Sequence, residues 1–132
     1  MKLLLDTHVL IWWLSDEEKL TASQVAALAA SSEAGEPLGL ASISLWEVAK
    51  LVELGRITLP VTVDDFLEGI EAHPGVRVLP LGARVALEST RLGPRFHRDP
   101  ADQIIAATAR THGLLLVTAD RRIRDAHVVS VV

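Results

Sequence analysis

Short, unbroken apolar runs alternate along this chain with stretches whose apolar residues recur every three or four positions. The first kind reads as buried strand and the second as helix. KLLLD (2–6) predicts a strand and THVLIWWL (7–14) a short helix. TASQVAALAASSEA (21–34) predicts an Ala-rich helix with Thr21 or Ser23 as N-cap, ended by Gly35 and Pro37. PLGLAS (37–42) is a short strand, SLWEVAKLVELG (44–55) a helix stopped by Gly55, and RITLP (56–60) an extended turn or small edge strand. TVDDFLEGIEAH (62–73) is a helix, VRVLPL (76–81) a strand and GARVALESTRL (82–92) a helix. A loop, GPRFHRD, leads to PADQIIAATARTHG (100–113), a helix with Pro at its first position and Gly at its end. LLLVT (114–118) is a buried strand, ADRRIRDA a short helix and HVVSVV (127–132) a last strand.

Fully apolar strands alternating with helices indicate α/β architecture, a parallel sheet covered on both faces. Such a sheet gathers its strand C-termini along one edge, and ligands bind there where the strand order reverses. At 132 residues and 49% apolar, the chain is expected to form one domain, 1–132, with a sizeable core. No apolar run approaches the roughly 20 residues of a membrane span, and residues 3–14 lack the flanks of a signal peptide. The absence of cysteine excludes disulfides and zinc–thiolate sites and fits a cytoplasmic protein. A net charge of −4 excludes a broadly basic nucleic-acid coat but allows a local basic edge.

The residues just after the strands carry the chemistry. Asp6 follows the first strand, and Asp120 follows LLLVT; each would also serve as N-cap of the next helix. Glu47 has Ile43, Leu51 and Leu54 at i−4, i+4 and i+7, which places a carboxylate on an apolar stripe where an unpaired charge is expensive. An inward Glu could instead pair with an Arg or accept from Ser44. Trp46 and Val48 beside it are expected in the core. Asp99, before Pro100, is well explained as an N-cap, while Asp102 begins the face continued by Ile105, Ala106 and Ala109.

Converging carboxylates repel one another and raise their own pKa values, and a hard divalent cation is the natural counterweight. The histidines do not fall at zinc-like spacings, so Mg²⁺ or Mn²⁺ is expected. Such a site suits phosphodiester hydrolysis.

LLLDTHVLIWWL, SISLWEVAKLVELGRITL, HRDPADQIIAATA and LLLVTAD, in that order and spacing, make the chain resemble the PIN-domain ribonucleases, in particular VapC-type toxins of type II toxin–antitoxin pairs. The resemblance implies a three-layer α/β/α sandwich and Mg²⁺-dependent cleavage of RNA. It implies that Asp6, Glu47, Asp102 and Asp120 form the metal-binding, catalytic cluster, with Asp99, Thr7, Ser44 and Thr118 in support. It also implies a homodimer and a small antitoxin partner. Gln103 departs from the Arg that many relatives carry there.

Two basic groups are expected at the same sheet edge: Arg91, Arg95, His97 and Arg98, and then Arg121, Arg122 and Arg124. Arg98, Arg121 and Arg122 are the candidates for RNA phosphates. His8 and His97 are weaker acid–base candidates, since metal-bound water needs no His. Trp12, Trp13 and the helices of residues 44–73 offer surplus apolar surface, consistent with a dimer. A haloacid-dehalogenase-like phosphatase would need a second Asp where His8 stands, and a later Lys. A phosphoacceptor receiver would need an Asp ending a middle strand, which VRVLPLG lacks. A catalytically silent PIN-like binding module remains as the alternative, and the retained acidic set argues against it.

Overall fold

The three leucines of the first strand are all buried yet face two different cores, and that division organises the molecule. Leu3 and Leu5 enter one apolar cluster with Val9, Leu10, Leu28, Leu40, Val48 and Phe66. Leu4, between them, enters another with Leu79, Ile105, Ala106, Leu116 and Ile123. Alternate side chains of a strand point to opposite faces, so an unbroken apolar run means helices on both sides.

The computed structural model describes residues 1–132. Its strands are β1 (Leu3–Leu5), β2 (Leu38–Ala41), β3 (Val76–Leu79) and β4 (Leu115–Val117). Its helices are α1 (Thr7–Ser15), α2 (Ala22–Glu33), α3 (Ile43–Glu53), α4 (Val63–Ala72), α5 (Ala83–Ser89), α6 (Pro100–His112) and α7 (Arg121–Ala126). The sheet is wholly parallel in the order β3-β2-β1-β4. From β1 the chain builds outward to β2 and β3, then returns to place β4 on the other side of β1. The order therefore reverses between β1 and β4, where the backbone N–H of Asp6 donates to Val117 O at 3.0 Å. This is the α/β/α sandwich expected from the pattern. No helix is long and apolar enough to cross a membrane.

Local chemistry explains the ends of the elements. α6 starts at Pro100 behind the Asp99 cap and ends at Gly113, whose φ of 63° lets the Leu114 N–H return to Ala109 O. Ala106, Ala107 and Ala109 are fully buried and let α6 lie close to its neighbours. β3 stops before Pro80, which has no N–H to give a ladder. α5 ends at Ser89, three residues short of the predicted Leu92. The Ser89 and Thr90 hydroxyls turn back onto the carbonyls of Ala86 and Leu87, and Gly93 takes φ 88°.

The predicted strand over 127–132 does not form. His127 closes α7 at φ 53°, and Val128 and Val129 pack onto the second core. The last residues of that segment alone lie alongside β4, Val131 bridging Leu116 in parallel while the Leu116 N–H donates to Ser130 O and the Val132 N–H to Leu116 O, both at 2.9 Å. Residues 56–60 form no strand, running irregularly with bends at Arg56 and Pro60, and residues 17–19 form a short 3₁₀ turn that the pattern did not indicate. Trp46 is also misplaced by the sequence pattern, being 55% exposed, whereas Val48 is fully buried.

Candidate active site

Four of the five carboxylates singled out in the sequence share the switch point between β1 and β4, with Asp99 at its rim. Asp6 leaves β1 and caps α1: its Oδ1 accepts from the Thr7 N–H at 2.8 Å. Its Oδ2 accepts from the Thr118 hydroxyl at 2.6 Å, and His8 Nδ1 stands 3.6 Å from the same oxygen. The Thr118 hydroxyl in turn accepts from the Asp120 N–H at 3.0 Å. One buried threonine thus ties the carboxylate after β1 to the turn that carries the carboxylate after β4.

A second threonine does the same on the other side. Thr7 Oγ1 lies 2.6 Å from Glu47 Oε1 and 2.8 Å from Ser44 Oγ. With one proton to give, Thr7 serves the carboxylate, and the Ser44 hydroxyl turns toward Thr7. Glu47 is half-buried on α3 and makes no salt bridge. Its apolar stripe is shorter than predicted: Ile43 and Leu51 are partly buried, while Leu54, just past the helix end, is exposed.

Asp102 is buried at the start of α6. Its Oδ2 meets His97 Nε2 at 2.6 Å and Arg122 Nη2 at 3.5 Å, and its backbone N–H donates to Asp99 Oδ1 at 3.1 Å. Asp99 itself is exposed and acts as the cap. Asp120 caps α7 by accepting from the Arg122 N–H at 2.8 Å and pairs with Arg122 Nη2 at 3.1 Å. Ligand atoms of His97, Asp102 and Asp120 lie within 4.8 Å of one another.

The electrostatics report crowding. Burial pushes the Glu47 carboxyl up to about 7; the Thr7 hydrogen bond opposes the rise, and the charges of Asp6, Asp102 and Asp99 add to it. Asp102 is also raised, first by burial and then by Asp6, Asp99 and Asp120, against the pull of His97. Asp120 moves the other way: burial works upward, but the hydrogen bonds and charge of Arg122 outweigh it. Glu47 Oε2 and Asp102 Oδ1 accept no hydrogen bond within the chain. Oxygen donors under mutual repulsion, each oriented through its other oxygen, fit a hard divalent cation.

Residues 3–128 match the PIN domain family. The chain belongs to that family. It is 38% identical over 122 residues to Ribonuclease VapC22 of Mycobacterium tuberculosis, covering 92% of this chain and 89% of that protein. DNA-bound VapBC from Salmonella typhimurium superposes with TM-score 0.70 at 19% identity, over 100% of this chain and 97% of that one. FitAcB from Neisseria gonorrhoeae superposes with TM-score 0.65 at 25% identity, over 98% and 95% of the two chains. The VapC-type resemblance read from the four motifs therefore holds.

Around this PIN-domain centre the basic residues separate into three places. Arg95, Arg98 and Arg122 border one cleft beside His97. Arg121 and Arg124 border another with Thr118 and Gln24. Arg91 is not at the edge where it was expected. It shares a cleft with Arg84, Glu88 and Arg110, toward the C-terminal end of α6 and so away from Asp102. Phe96 is buried and stacks on His97 rather than offering a platform for bases.

Two residues of the PIN-domain centre were missed or underweighted. Spacing argued against histidine ligands, yet His97 sits on Asp102, brought there by the loop before α6, which Gln103 Nε2 holds by donating to His97 O at 3.2 Å. Gln24 was not singled out. It completes a capping box with Thr21, and its buried amide donates to Thr118 O and Val132 O, both at 3.2 Å. Arg124 Nη1 also donates to Thr118 O, at 3.0 Å. Gln three positions after Thr21 signals the box. Nothing local signals partners 94 and 108 residues away.

Proposed function

We propose that this chain is a divalent-cation-dependent endoribonuclease, one domain spanning residues 1–132, and the toxin half of a toxin–antitoxin pair acting in the cytoplasm. The observation that carries the reading is the acidic cluster. Asp6, Glu47, Asp102 and Asp120, from four separate elements, share one electrostatic neighbourhood at the sheet's switch point. The likeness to Ribonuclease VapC22 supports RNA as the substrate.

Asp6, Glu47, Asp102 and Asp120 would hold Mg²⁺ or Mn²⁺. Such an ion supplies a Lewis acid for the phosphate oxygens and a more acidic water for in-line attack. The chain's own residues set the geometry. Thr118 and Thr7 fix Asp6 and Glu47 by short hydroxyl bonds, which leaves Glu47 Oε2 available, and Ser44 steadies Thr7. Asp99 holds the first turn of α6 and with it the backbone of Asp102. Arg98 and Arg122 in one cleft and Arg121 in the other flank the cluster, where they would hold RNA phosphates on either side of the cut and offset repulsion from the carboxylates.

An antitoxin partner is supported by the VapBC complexes among the structural neighbours. A homodimer is supported by Trp46, Leu54 and Val61, each at least half exposed. Trp12 and Trp13 contribute less than expected, being packed partly against the core.

A short single-stranded RNA incubated with the purified protein tests the activity. Cleavage is expected with Mg²⁺ or Mn²⁺, stopped by EDTA and restored by excess metal. RNA that is bound but stays intact under every metal condition would instead favour the silent binding module. Arg98→Gln is expected to weaken binding of all RNA sequences alike and to lower the salt slope by about 0.7, the value for one phosphate contact on a single strand. Unchanged affinity and slope would remove Arg98 from the RNA path.

A further inference from the structure

One guanidinium touches two carboxylates of the acidic cluster. Arg122 Nη2 is 3.1 Å from Asp120 Oδ2 and 3.5 Å from Asp102 Oδ2, and its Nε is 3.5 Å from Asp120 Oδ1. The cap explains the geometry. The Arg122 N–H holds Asp120 Oδ1 at 2.8 Å, so the side chain folds back over the residue two before it and reaches α6 beyond. No packing locks it there, since the side chain is 62% exposed. The same side chain also borders the cleft of Arg95, His97 and Arg98. Arg122 therefore stands between an acidic centre and a basic groove.

A divalent ion held by Asp102 and Asp120 would bring two positive charges against a guanidinium already in contact with both. Like charges at that range repel, and a solvent-exposed ion pair has little free energy with which to compete. A planar fork released from carboxylates is well matched to a phosphate, which it can bind in the same bidentate way.

We propose that Arg122 is an exchange residue: it bridges Asp102 and Asp120 until a divalent cation takes those carboxylates, then moves into the adjoining basic cleft to hold an RNA phosphate. The RNA half of this rests on the ribonuclease reading; the cation half does not. Binding then has an order, cation before RNA, and each strengthens the other through one side chain.

Calorimetric titration with Mn²⁺, without RNA, tests the first half. Arg122→Gln is expected to bind Mn²⁺ more tightly than wild type, by roughly two- to fivefold, the range of an exposed ion pair. Arg122→Lys keeps the charge but loses the fork, and should also bind more tightly than wild type. Arg121→Gln removes the same charge one residue away and should stay close to wild type. Fluorescence polarisation with a short RNA in Ca²⁺ tests the second half. Ca²⁺ should strengthen RNA binding by wild type more than by Arg122→Gln. Unchanged or weaker Mn²⁺ binding by Arg122→Gln, or an equal gain in Arg121→Gln, overturns the exchange. So does an equal effect of Ca²⁺ on RNA binding by wild type and Arg122→Gln. If no RNA is cut but Arg122→Gln still gains Mn²⁺ affinity, the ribonuclease reading falls and the cation exchange stands. If RNA is cut normally while Mn²⁺ affinity is unmoved, the exchange falls alone.

Discussion

Glu47→Gln is expected to abolish RNA cleavage and weaken divalent-cation binding, while the metal-free protein becomes more stable above pH 7. Gln keeps the shape, and its carbonyl can still accept from Thr7. What it removes is a charge that burial and the neighbouring Asp6, Asp102 and Asp99 disfavour. The folded carboxyl titrates near 7, above its ordinary value of 4.5. A raised carboxyl pKa means the folded state holds the proton more tightly than the unfolded chain. That contribution is complete below pH 4.5 and is lost as pH rises through 7. The metal-free wild type should therefore lose about 1–2 kcal/mol across that window, a figure reduced for the partial exposure of the group.

The Gln variant lacks this loss, so its melting curve should match wild type near pH 5 and exceed it near pH 8. Added Mg²⁺ should raise the wild-type melting temperature more than the variant's, because a ligand stabilises the native state more the more tightly it binds there. A Glu47 paired with a buried cation would behave in the opposite way, losing on the order of 3–5 kcal/mol when its charge is removed. Full cleavage by the variant, or lost stability with unchanged Mg²⁺ binding, would remove Glu47 from the metal site.

Asp6→Ala should lose stability and activity together, which is what separates its role from that of Glu47. Asp6 is 3% exposed and both its oxygens are used, one by the Thr7 N–H and one by the Thr118 hydroxyl. Alanine removes the cap of α1 and leaves a buried hydroxyl without its charged acceptor. The expected cost is about 2–4 kcal/mol, read from chemical denaturation with EDTA present. Cleavage should fall at least about 100-fold, since even the groups that merely orient a metal's ligands are worth 10–100-fold. Loss of the Asp6 charge also removes one of the causes holding Glu47 high, so the pH-dependent loss of metal-free stability should shift to lower pH. A variant as stable as wild type would show that the bond to Thr118 is incidental. One that still cuts RNA would place the metal elsewhere.

Asp6 answers a question posed by its position alone. Capping takes one oxygen, and the second is not left free: Thr118, 112 residues later in the chain, donates to it. Each carboxylate oxygen has room for more than one partner, so capping, tying β1 to β4 and metal binding are compatible at one residue.

The chain's pattern determined the layers and the edge. Apolar runs of three or four residues between amphipathic helices have only one good burial, inside a parallel sheet covered twice. A parallel sheet puts Asp6 and Asp120 on the same side by construction. The caps were local too: Thr21, Thr62, Asp99 and Asp120 each bond within three residues. Local rules failed where packing chose among permitted conformations. HVVSVV has the composition of a strand, but His127 turns it and the second core takes Val128 and Val129. Trp46 has the character of a core residue, but the helical period places it outward on α3, away from the sheet. Only the tertiary structure could bring Gln24 to the Thr118 turn, Arg122 across to Asp102 as well as its neighbour Asp120, and His97 back onto Asp102. The first two join elements distant in the chain, and the third depends on how a short irregular loop folds, so no apolar pattern in a short window contains a term for them.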